Sequence, residues 1–156
     1  MSSNWMTQEV FLVELVSASP EETINTGERI AGFLHPGSVV ALRGGLGTGK
    51  TYLTKGIARG LGVKEEITSP TYTIICEYQG KLPLYHIDAY RLGGDDDFNA
   101  LGGEDFLYGP GVSVIEWSEL LRQSIPPEAI IVEISLLEGN HRLIRIPSLA
   151  MEEFYP

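Results

Sequence analysis

Apolar and polar positions along this chain follow two different periods, and the switches between them mark out its elements. The run at residues 9–16 (EVFLVELV) predicts a first strand. Residues 19–34 (SPEETINTGERIAGFL) then carry Ile24, Gly27, Ile30, Ala31 and Leu34 at helical spacing, so one helix face packs on a core. The start of this helix is well marked by Ser19 as cap, Pro20 at the first helical position and Glu22 three residues after Ser19. A short β-branched run at 38–42 (SVVAL) predicts a buried strand, and residues 50–61 predict a helix with Leu53, Ile57 and Leu61 on one face and Gly62 as its stop.

The period then changes. TYTIICEY (71–78) and LPLYHIDAY (82–90), joined by a QGK turn, predict an antiparallel hairpin, with Pro83 near the start of its second strand, where an edge position suits it. Residues 91–111 are rich in glycine and aspartate and predict loops around one or two short helices. VSVIEWS (112–118) predicts a buried strand, SELLRQSI (118–125) a short helix before Pro126 and Pro127. AIIVEISL and HRLIRIPS around an EGN turn predict a second hairpin with clean alternation. The tail MEEFYP carries no structural signal, and the chain shows no repeat or linker.

Chemistry enters between the second predicted strand and its helix. Gly44, Gly45, Leu46, Gly47, Thr48, Gly49, Lys50 and Thr51 read GGLGTGKT, a complete match to G-x-x-x-x-G-K-[ST], the phosphate-binding loop of ATP- and GTP-using proteins. Glycines let backbone N–H groups close round phosphates, and the helix that follows turns its positive end to the same anion. Lys50 would neutralise the outer phosphates, and the Thr51 hydroxyl suits magnesium, a cation that prefers oxygen ligands. The strand and helix around the motif predict a P-loop NTPase-like α/β sandwich, with a mostly parallel central sheet, helices on its faces and antiparallel hairpins.

Hydrolysis needs, besides the loop, a carboxylate at the end of a neighbouring strand. Asp88 ends LYHID and Glu116 ends VSVIE, both at the carboxyl edge where open α/β sheets bind ligands. The more continuously apolar run leading to Glu116 favours it as the magnesium-side acid, with Asp88 orienting water or lying behind the metal. A solvent-facing strand end would also account for either acid alone. TSPTYT (68–73) reads either as a segment sensing the γ-phosphate or as an ordinary hydroxyl-rich turn. On residue type, Trp117 and His86 read more readily as core than as site.

Composition narrows the setting. With 156 residues, the chain suits one domain spanning residues 1–156, and 43% apolar against 21% charged residues is globular. A single cysteine, Cys76, excludes an internal disulfide, and no long apolar run or secretion signal is present, which together predict a soluble cytoplasmic protein without a membrane span. A formal net charge of −10 argues against a broad nucleic-acid surface.

GGLGTGKT, TSPTYT, YHIDAYRL and VSVIEWSELL, in that order across residues 34–121, resemble the TsaE or YjeE family, small bacterial P-loop ATPases needed to make threonylcarbamoyladenosine in transfer RNA. The resemblance implies ATP or ADP and Mg2+ as cofactors, with nucleotide contacts at residues 44–52, Thr71 and Trp117, magnesium at Thr51 and Glu116, and Lys50, Asp88 and Glu116 as the catalytic residues. It also implies TsaB and TsaD as partners, TsaD carrying the transferase chemistry, with transfer RNA met only through them. Two departures are visible: Gly45 stands where members usually carry an acid, and Tyr52 replaces a second hydroxyl residue. A small-molecule kinase and a nucleotide-dependent assembly subunit that does not hydrolyse remain alternatives on the same loop. GTP is disfavoured, because no Asn/Thr-Lys-x-Asp segment follows.

Overall fold

A computed structural model of the chain describes residues 12–45, 47–68 and 74–155. Its frame is a seven-stranded sheet in the order β1-β7-β6-β2-β5-β4-β3. The strands are β1 Val13–Ser17, β2 Val39–Arg43, β3 Ile75–Tyr78, β4 Leu84–Asp88, β5 Val112–Glu116, β6 Ile130–Leu136 and β7 Arg142–Ile146. The four central strands β6, β2, β5 and β4 pair in parallel, while β1, β7 and β3 add antiparallel edges. Parallel strands are covered on both faces, which is why β5 is buried at all five positions and β2 and β4 at four each. Both predicted hairpins are present, as β3–β4 and β6–β7. Pro83 falls just before β4, where its carbonyl accepts the Val112 amide.

Two helices cover one face, α1 Pro20–Ala31 and α2 Lys50–Gly60. The cap of α1 forms as its sequence predicts: the Ser19 hydroxyl accepts the Glu22 amide at 3.2 Å, and the Glu22 carboxylate reaches back to the Ala18 amide. The apolar side of α1, α2 and the sheet share one core, built on Ile30, Leu53, Ile57, Val40, Leu42, Val114 and Leu84. The opposite face is closed by two short helices, α3 Asp95–Ala100 and α4 Gly103–Leu107, whose Phe98 and Leu107 pack with Ile87 and Ile115.

Helices α1 and α2 touch backbone to backbone. A Cβ added at Gly56 would lie 2.0 Å from the Ile24 carbonyl oxygen, and one at Gly27 would lie 2.3 Å from that of Leu53. Only glycine permits this approach, so the helix that begins at the phosphate loop is locked against its neighbour.

Two expectations are corrected. Residues 118–125 do not form a helix; a single 3-10 turn spans Ser118–Leu120. The reason is local: Leu121 must turn inward to full burial while Leu120 stays 42% exposed, and two prolines follow at once. The tail, in turn, is structured. A one-turn helix α5 Met151–Phe154 buries Phe154, which stacks on Phe33 with 6.0 Å between ring centroids, while the Arg29 guanidinium lies 4.6 Å from the Tyr155 ring centre. Among the described residues no helix is long and apolar enough to cross a membrane.

Gly56→Ala is expected to destabilise the fold by about 1–3 kcal/mol, because the added methyl group overpacks a backbone contact. Urea unfolding measures this; a change near zero would mean that the two helices do not meet as closely as described.

Candidate active site

The loop after β2 runs into α2, and its glycines supply conformations that other residues resist. Gly49, immediately before α2, has φ +102° and Gly47 has φ +74°. Thr48, buried, donates to the Gly45 carbonyl at 2.9 Å and so closes the turn on itself. Leu46 lies outside the described residues, as do residues 69–73, including Thr71 and most of the segment read as a phosphate sensor.

Lys50 is only 6% exposed. Its ammonium donates to the Gly44 carbonyl at 2.7 Å and lies 3.9 Å from the centre of the Trp117 ring, a cation–π contact. Burial pushes the Lys50 pKa below its ordinary value, against the opposing pull of Glu116, Glu119 and Asp88. The ammonium therefore sits in a place where burial disfavours its charge and three carboxylates favour it.

Both sequence-predicted acids reach the same cavity. Strands β4 and β5 pair in register with Asp88 opposite Glu116, so two neighbouring parallel strands end in carboxylates side by side. A cavity of about 360 Å³ is lined by Lys50, Thr51, Asp88, Glu116, Trp117 and Arg142, with Gly47, Thr48, Gly49 and Tyr52 of the loop completing its wall. Glu116 is held from behind by the ring of His86, and Asp88 accepts the Tyr90 amide at 3.1 Å. Arg91, the arginine nearest the acids in sequence, is exposed and lies 3.7 Å from the Asp88 carboxylate.

Trp117 lines the cavity and also packs against the second core, that of Phe98 and Ile115. It is half-buried, it covers Lys50, and its ring lies 5.0 Å from that of Tyr90. Its backbone has φ +61°, the one positive φ of a non-glycine residue among those described, a conformation that costs on the order of 1–3 kcal/mol. The turn is fixed by the next residue, because the buried Ser118 hydroxyl donates to the Leu42 carbonyl of β2 at 3.1 Å.

Two participants lie outside the sequence reading. Arg142, at the start of β7, donates to the Thr48 carbonyl at 3.0 Å and to that of Gly47 at 3.4 Å, bracing the loop from outside while lining the cavity. Arg142 thus brings a second arginine to the cavity region besides Arg91. Glu119 adds a third carboxylate to the field around Lys50. Arg142 has no local sequence signal, since its place depends on β7 entering the sheet next to β6, 94 residues beyond the Thr48 carbonyl it holds. A Cβ on Gly45 would meet nothing within 4 Å, so a side chain at this position would have open space.

A glycine loop between β2 and α2, set at the carboxyl edge of a parallel sheet beside acids from two other strands, defines a P-loop α/β protein. The family model described as "Threonylcarbamoyl adenosine biosynthesis protein TsaE" matches residues 17–144, and the chain belongs to that family. It is 43% identical over 131 residues to the tRNA threonylcarbamoyladenosine biosynthesis protein TsaE of Treponema pallidum, covering 84% of this chain and 97% of the relative. Identity to the Bacillus subtilis protein of the same name is 42% over 129 residues, 82% of this chain and 80% of the relative. The crystal structure of YdiB from Bacillus subtilis superposes with a TM-score of 0.71 at 38% identity, covering 86% of this chain and 84% of that one. The family's role lies in the biosynthesis of tRNA threonylcarbamoyladenosine.

The lowered Lys50 pKa has a definite sign. Between the depressed folded value and the ordinary value near 10.5 the unfolded chain holds more protons, so this group's contribution to stability rises with pH. In EDTA and without nucleotide, urea unfolding between pH 7 and 10 is expected to show the wild type gaining stability relative to Lys50→Met as pH rises. A flat or falling difference would contradict the burial described.

Proposed function

We propose that this chain binds ATP at the loop of residues 44–51 and hydrolyses its β–γ bond, slowly alone and faster with its partners TsaB and TsaD, in support of threonylcarbamoyl transfer to tRNA adenosine. The observation that carries this reading is the convergence of Lys50, Thr51, Asp88 and Glu116 on one cavity at the carboxyl edge of the sheet.

Each residue has a role that its surroundings support. The Lys50 ammonium exchanges the Gly44 carbonyl and the Trp117 face for phosphate oxygens, which relieve the cost of its burial. Loop N–H groups and the start of α2 receive the phosphates. The Thr51 hydroxyl and Glu116 carboxylate are hard oxygen donors, and a magnesium ion would be held by them with nucleotide and water oxygens completing its shell. When bound, the ion supplies charge neutralisation across the β- and γ-phosphates. Asp88, side by side with Glu116, orients the attacking water and accepts its proton. Arg142 stiffens the loop through the Thr48 and Gly47 carbonyls. A second cavity of about 490 Å³ shares Gly49, Tyr52 and Arg142 with the first and continues along Ser19 and Pro20, giving the nucleoside room beyond the phosphates.

TsaB and TsaD as partners are part of this proposal, and the acidic balance of this chain supports transfer RNA being handled by them. Steady-state phosphate release by the protein alone and with TsaB and TsaD tests the reading. Stimulation by the partners is expected, with loss in Lys50→Ala and a fall of about 100-fold or more in Asp88→Asn. Turnover that is fast alone and indifferent to partners would refute it, as would phosphate transfer only to an added small-molecule acceptor.

A further inference from the structure

We infer that His86 is a positioning residue for Glu116: it fixes the carboxylate in the orientation from which it serves a divalent cation. The inference rests on the nucleotide reading above and adds to it a residue outside the cavity.

The observation begins with a polar side chain in an apolar wall. On β4, Leu84, His86 and Asp88 share the face toward α2, and the corresponding face of β5 carries Val112, Val114 and Glu116. His86 is fully buried there, and opposite Val114 a leucine would continue the core without cost. Instead, the imidazole Nε2 bonds Glu116 Oε2, and Nδ1 is buried with no hydrogen-bond partner among the described residues. An orphaned ring nitrogen is destabilising, so the residue is not explained by packing.

The carboxylate assigns the direction of the bond that is made. An ionised carboxylate can only accept, so the proton of this contact is carried on Nε2. His86 Nε2–H therefore donates to Glu116 Oε2. One oxygen of the carboxylate is tied to the sheet, and Oε1 is left for the cavity that Glu116 lines. Because the register sets Glu116 opposite Asp88 and His86 opposite Val114, the contact runs diagonally from β4 to β5 and tethers the acid to the strand that carries Asp88. Partners that orient a ligating carboxylate in this way are worth about 10–100-fold in metal affinity.

The test separates positioning from filling. Mn2+ binding to the protein–ADP complex is followed by electron paramagnetic resonance, and ADP binding in EDTA by calorimetry, for wild type, His86→Leu and His86→Gln. Glutamine retains an N–H donor near the place of Nε2, whereas leucine only fills the space. In His86→Leu we expect Mn2+ affinity to fall about 10-fold or more with ADP affinity in EDTA unchanged, and in His86→Gln we expect most of the loss to be recovered. If the leucine variant does not fold, His86→Asn, too short to reach Glu116, replaces it. Wild-type Mn2+ affinity in the variant lacking the donor, an equal loss of metal-free ADP binding, or a folded His86→Gln no better than it would overturn the inference. A wild-type protein that binds ADP without any Mn2+ dependence would overturn it too. Absence of ADP binding altogether would refute the nucleotide reading and this inference with it.

Discussion

The parallel pairing of β2, β5 and β4 is the constraint on which the site depends. Val40 lies opposite Val114, and Glu116 lies opposite Asp88, so three strands reach the same sheet edge together. A slip of one residue in β5 would send Glu116 to the face of Phe98 and Leu107 and take from Lys50 the first of the three carboxylates around it. Burial on both faces makes such a slip costly, since every position of β5 is enclosed. The apolar core thus determines where the charged groups stand.

Several ordinary rules are broken at that one edge. Among the described residues, a lysine is buried, a tryptophan adopts positive φ, and a histidine nitrogen lacks a partner, all near the phosphate loop. Such conflicts are destabilising and gather where sites are preorganised. The surroundings hold them in place: Gly27 and Gly56 lock α2, Ser118 ties the Trp117 turn to β2, and Arg142 braces the loop. Folding energy from the two cores is what keeps this strained edge assembled before any ligand arrives.

Much of this was legible in the sequence because it is local. The cap of α1, the loop between β2 and α2, both hairpins, and acids at the ends of two apolar strands are each written within a few consecutive residues. The strand order was not, because pairing joins segments as distant as β1 and β7. For the same reason Arg142 escaped notice, and residue type alone pointed Trp117 to the core it packs against and not to its place over Lys50. Residues 118–125 misled through helical spacing that the inward turn of Leu121 interrupts. The tail misled in the other direction, since its order comes from Phe33 and Arg29 and not from its own six residues.

The most direct measurement is anomalous diffraction from crystals grown with ADP and Mn2+. The account predicts a single metal peak within bonding distance of the Thr51 hydroxyl, bridged to the β-phosphate, with the Glu116 carboxylate directed at the ion or its waters and Lys50 withdrawn from Trp117. Ordered ADP in the loop with the metal elsewhere, or with Lys50 still on the Gly44 carbonyl, would contradict it.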